Sequence, residues 1–146
     1  ILAACSPGGT GHGSNDHTGE LPEFQEHESN SLLWHAQFLG TFNAPDLLHI
    51  YGAFGNPNDR DIYHLFTTGP QLLNFNIATD HVPVEAFLIT KNPFSNNLVL
   101  LGHWIGDPNQ LQVLGWQINP LNDGIYLILR PPNGTIGPYN VEMWAQ

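Results

Sequence analysis

Positive charge is what this sequence lacks most. Among 146 residues only Arg60, Lys91 and Arg130 are basic, against 13 acidic residues, and the formal charge is −10. A nucleic-acid partner needs a Lys/Arg stripe that displaces counterions from phosphates, so that class is excluded. An anionic membrane surface is disfavoured for the same reason. Cysteine is almost as scarce: Cys5 stands alone, which rules out an internal disulfide. No apolar run approaches the ~20 residues with which a helix spans a bilayer, so no transmembrane segment is expected. Sustained helical periodicity is missing too. Charged residues of both signs reach only 11 %, against roughly 25 % in an average soluble chain. Solubility therefore rests on Asn, Ser, Thr, Gln and Gly, a neutral surface of the extracellular kind.

What is present divides into two parts. Residues 1–31 form a leader rich in Gly, Ser, His and acid and poor in apolar side chains, read as an extended arm. Within it, Leu2-Ala3-Ala4-Cys5 has the form of a bacterial lipobox, which makes Cys5 a candidate for lipidation or cross-linking after bacterial-type export. Residues 32–146 form the folded domain. There, short apolar runs at 32–42, 47–54, 61–67, 71–79, 84–90, 98–105, 111–118, 124–130 and 139–145 alternate with Asn-Pro, Gly-Pro, Asp-Pro and Asn-Asp-Gly turns. Several alternate strictly, as Leu73, Phe75 and Ile77 do against Asn74 and Asn76. Eight to nine such strands predict an all-β, antiparallel β-sandwich.

The densest polar cluster is "GNPNDRD" at 55–61. Asn56, Asn58, Asp59 and Asp61 offer oxygen atoms at short intervals, a donor set suited to Ca²⁺, although the order does not follow an EF-hand loop. The same carboxylates can instead accept backbone N–H bonds and fix the turn before the strand. No Gly-x-Ser-x-Gly elbow is present, and Cys5 sits in the leader, so no nucleophile is evident. The chain is read as non-enzymatic. His12, His17 and His27 lie among leader acids without zinc-type spacing.

The order of short strand motifs resembles the bacterial pre-peptidase C-terminal domain. The motifs are "FLGTF" (38–42), "HIYGAF" (49–54) and Asp59-x-Asp61-x-Tyr63-x-Leu65. They continue with "LLNFNI" (72–77), "FLIT" (87–90), "GIYLIL" (124–129) and "GPYNVEM" (137–143). The resemblance spans about residues 36–145. It implies a jelly-roll-like β-sandwich of a secreted protein, a module that accompanies hydrolases without catalysing, and a family in which some members bind calcium.

Function is then expected to reside in surfaces. In "DIYHLF" Tyr63 and Leu65 point one way and Ile62 and Phe66 the other, and Trp116 lies in a similarly apolar strand. Ile62, Phe66 and Trp116 are therefore candidate interface residues, because large apolar patches rarely stay exposed on a monomer. Ile1, Leu2, Leu21 and Phe24 of the arm are the candidate groups to cover such surfaces on a neighbour, by adding as a strand to its sheet edge. A head-to-tail contact of this kind does not close and builds a homo-polymer, either a filament or a surface layer. The alternative is a tethered, monomeric module that binds a glycan, a peptide or another cell-surface component, with Trp34, Trp104, Trp116 and Trp144 available as stacking platforms. Both readings place the protein outside the cell or on its surface.

Overall fold

The computed structural model describes residues 23–119 and 124–146. Among the described residues ten strands make two five-stranded sheets. The strands are β1 (Glu23–Gln25), β2 (Gln37–Thr41), β3 (Leu47–Phe54), β4 (Asp61–Phe66) and β5 (Gln71–Thr79). They continue with β6 (Glu85–Lys91), β7 (Leu98–Ile105), β8 (Gln110–Ile118), β9 (Ile125–Arg130) and β10 (Gly137–Ala145). The first sheet runs β1-β3-β10-β5-β8 and the second β2-β4-β9-β6-β7. Strands β3 to β10 alone give the orders 3-10-5-8 and 4-9-6-7, which is the eight-stranded jelly roll. Antiparallel pairing runs through all eight. The two added edge strands differ, because β1 pairs with β3, and β2 with β4, in parallel.

Alternation decides which face of each strand meets the other sheet. Ile50, Phe54, Phe75, Ile77, Val141 and Met143 of the first sheet face Leu65, Leu88, Ile125, Leu127 and Leu129 of the second, all fully buried. Each such side chain contributes about 2 kcal/mol by leaving water. One polar line crosses this core. Tyr63 Oη lies 2.6 Å from Tyr139 Oη, and Tyr139 donates to Asp61 Oδ2 at 2.6 Å. Gly52 makes room for that line, because a Cβ there would strike the Tyr139 ring and the Glu26 carboxylate. Removing the central hydroxyl leaves a buried carboxylate oxygen and a buried phenol short of a partner. Tyr139→Phe is expected to lower stability in urea by about 1–3 kcal/mol with an unchanged denaturant slope.

The expected strand over 32–42 is split. Leu33–His35 form one turn of 3-10 helix, and only Gln37–Thr41 pair as β2. The arm also differs from expectation at its C-terminal end. Glu23–Gln25 take the edge of their own sheet, and Phe24 packs against their own core. Ile1, Leu2, Cys5 and Leu21 lie outside the described residues. Among the described residues no helix is long and apolar enough to cross a membrane.

Candidate functional site

Two constellations emerge once the strands are paired. The first sits at the N-terminal edge of the sandwich. Glu26, Glu28 and Asp61 bring carboxylate oxygens to within 4.8 Å of one another. Glu26 is fixed by its Oε2, which accepts the Ala53 N–H at 2.7 Å. Asp61 is fully buried, and its Oδ1, like Glu26 Oε1, is buried without a hydrogen-bond partner among the described residues. The Asn30 side-chain amide is buried and unpartnered among the described residues as well, while the Asn30 backbone carbonyl accepts the Ile62 N–H at 3.2 Å. Burial, and then the neighbouring Glu26 and Asp59 charges, push Asp61 up to about 8 despite the Tyr139 hydrogen bond that opposes the rise. Burial followed by Glu26 and Asp59 raises Glu28 also. Such a cluster sheds repulsion by taking up a proton or a divalent cation. Its all-oxygen donors and orphaned buried oxygen atoms fit Ca²⁺.

This is a different donor set from the one the loop at 55–61 suggested. Asn56 Oδ1 accepts the Asn58 N–H at 2.9 Å. Asp59 accepts the Gly55 N–H at 2.6 Å and the Arg60 N–H at 3.1 Å. Asn56 and Asp59 thus shape the turn, and Asp61 alone of the four reaches the carboxylate cluster. The Glu-x-Glu spacing of 26 and 28 was visible in the sequence, but nothing local showed that the leader folds back beside Asp61.

The second constellation covers the outer face of the second sheet. Register places Ile62, Ile128, Phe87 and His103 in one cross-strand row and His64, Tyr126 and Ile89 in the next. Phe87 stacks on His103 at 4.4 Å and His64 on Tyr126 at 4.3 Å, both nearly parallel. The Arg130 guanidinium lies 5.2 Å from the Phe87 ring centre, a cation–π contact. Glu85, itself buried, orients it: Arg130 Nε donates to Glu85 Oε2 at 2.5 Å, and His103 Nε2 lies 2.7 Å from Oε1. Arg130, and then His103, hold the Glu85 carboxyl below its usual range.

The segment leading into β2 leans over this face and leaves a recess of about 410 Å³ lined by Trp34, Arg60, Ile62, Phe87, Leu98 and Arg130. A second recess of about 330 Å³ adjoins it and shares Leu33, Trp34 and Leu98, with Lys91 and Tyr126 on its far side. Trp34 is 77 % exposed and Leu98 53 %. Of the predicted interface residues, Ile62 and Phe66 fall on or near this region. Ile62 is buried as the recess floor rather than exposed. Phe66 is half-buried, edge-on to Phe38 at 5.6 Å and His64 at 4.9 Å. Trp116 stands elsewhere, half-buried against Trp104 at 5.1 Å where β7 and β8 flank the core. The placement of Arg60, Lys91 and Arg130 around two adjoining recesses of one face was not visible in the sequence, because it depends on β4, β9 and β6 being neighbours.

Fold and faces together define a jelly-roll β-sandwich with side-chain surfaces on both outer faces. Among solved structures, the chain is similar to the pre-peptidase C-terminal domain of a collagenase from Bacillus anthracis. The TM-score is 0.54 at 16 % identity, covering 76 % of this chain and 94 % of that one. The resemblance drawn from the strand motifs therefore holds at the level of fold. Looser likenesses are to PliG, a periplasmic inhibitor of g-type lysozyme from Salmonella Typhimurium (TM-score 0.48, 14 % identity, 76 % and 99 % covered), and to a mitogen from Yersinia pseudotuberculosis (TM-score 0.46, 8 % identity, 68 % and 86 % covered). No family model and no curated sequence matches the chain.

Proposed function

We propose that the protein is a non-catalytic binding module of an exported protein, and that it docks an acidic, apolar polypeptide segment on the outer face of its second sheet. The observation that carries this reading is charge placement. A chain of net charge −10 puts all three of its cations, Arg60, Lys91 and Arg130, around two adjoining apolar recesses that share an exposed Trp34. Arg60 is exposed and makes no ion pair among the described residues. Arg130 is already paired with Glu85, so the steering charge is Arg60, where a carboxylate on an incoming peptide meets attraction in place of the repulsion expected of a chain of net charge −10. The partly desolvated aromatic rings and the Trp34 side chain supply the anchors from which interfaces draw most of their affinity. Binding to immobilised peptides of graded charge tests the reading, with Trp34→Ala and Arg60→Glu as controls.

The competing proposal is self-assembly into a filament or layer. The specific feature in its favour is the outer edge of the second sheet, where Leu98, Leu100 and Ile105 of β7 are more than half exposed. Against it, the end of the arm is spent on its own first sheet through β1. Sedimentation velocity at micromolar concentration separates the two. The binding-module reading expects one species of monomer mass, and a concentration-dependent series of larger species would favour assembly.

A further inference from the structure

We propose that the outer face of the first sheet is a second, independent binding surface, and that its ligand is a neutral glycan. Strand register assembles two continuous rows of side chains across all five strands. One row is Gln25, Tyr51, Asn140, Ala78 and Gln110; the other is Glu23, His49, Glu142, Asn76 and Gln112. Five of these ten side chains are primary amides, groups that donate and accept at once, as sugar hydroxyls do. Tyr51 adds a ring that is 38 % exposed, a platform for a pyranose face. The amides hold fixed positions: Gln25 Nε2 donates to the Tyr51 carbonyl at 3.1 Å, and Gln110 Nε2 to Asn76 Oδ1 at 2.8 Å.

Shape and charge narrow the occupant. At the end of the first row a cleft of about 590 Å³ opens over small residues, Gly52, Ala53 and Ala78, between walls that include Gln25, Tyr51 and Asn140. That volume falls in the range that holds a small ligand, about 300–1,000 Å³. No Lys or Arg stands on this face, since all three cations lie around the opposite one, whereas Glu23 and Glu142 stand in its rows and Glu26 and Asp80 line the cleft. Anionic polymers are repelled, and hydroxyl groups find both carboxylate acceptors and amide partners. A basic peptide would draw on the carboxylates alone and leave the amide rows unused.

Amide chemical-shift mapping with cellohexaose, xylohexaose and chitohexaose at millimolar concentration, and with hexalysine as the charged comparison, tests the proposal. At least one hexasaccharide should shift amides on β3, β5 and β10. Tyr51→Ala and Asn140→Ala should each weaken that binding by about tenfold, and Trp34→Ala on the opposite sheet should leave it unchanged. The proposal is overturned if no hexasaccharide perturbs this face, if hexalysine alone does, or if Trp34→Ala rather than Tyr51→Ala removes the effect.

Discussion

Adding calcium chloride to chelator-treated protein at about pH 8 is expected to raise the melting temperature by roughly 5–10 °C, and by much less at about pH 5. The argument starts from three carboxylates that the fold forces together, Glu26, Glu28 and Asp61. In the metal-free protein Asp61 keeps its proton up to about 8, far above its ordinary value of 3.8. Between those values the unfolded chain has released a proton that the native state still holds. Metal-free stability therefore declines as pH rises through this window, by at most about 1.4 kcal/mol per pH unit, and levels off above the native pKa. A cation bound at this cluster would replace the proton, so its benefit would grow over the same window. At a hundredfold excess over its dissociation constant it contributes about 2.7 kcal/mol, which sets the size of the thermal shift. Glu28→Gln should largely abolish that shift, and Asn58→Ala should leave it intact, because Asn58 uses its backbone N–H on Asn56 and lies outside the carboxylate cluster. Equal stabilisation at both pH values, or loss of the effect in Asn58→Ala alone, would contradict the proposal that this cluster takes up calcium.

The second large effect concerns the aromatic face. Trp34→Ala is expected to weaken peptide binding by about tenfold to a hundredfold, the range of a buried aromatic anchor, with little change in folding stability. Trp34 is 77 % exposed and, among the described residues, makes a ring contact only with the neighbouring His35, at 6.2 Å, so the described sandwich does not depend on it. Arg60→Glu acts through charge and should slow association and steepen neither arm of the stability curve. Its effect should shrink with added salt, as expected of an exposed steering charge. Arg130 is a poorer probe, because removing it leaves the Glu85 carboxylate buried with His103 as its remaining partner among the described residues, and so mixes binding with stability.

Much of the sandwich was legible from alternation and turns. The strands at 47–54, 71–79 and 98–105 appear with those bounds, because Leu73, Phe75 and Ile77 can only share a face if the backbone is extended. The two-sided apolarity of β4 was legible too, but its cause was not. Ile62 is covered by the protein's own Asn30-to-Trp34 segment, whose turn of 3-10 helix carries no periodic signal. Likewise Glu23, Phe24 and Gln25 are too few for alternation to mark a strand, so the arm read as solvated leader and the Glu26–Glu28–Asp61 cluster stayed hidden. Side chains gathered from β4, β6 and β9 become one surface only after the jelly-roll order is known.

The most direct measurement is binding of the wild-type protein to immobilised twelve-residue peptides in acidic-apolar, neutral-apolar and basic-apolar classes, beside Trp34→Ala and Arg60→Glu. The account predicts retention by the acidic-apolar class and loss in both variants. Retention by the basic class, or acidic-class binding that survives both substitutions, would contradict it.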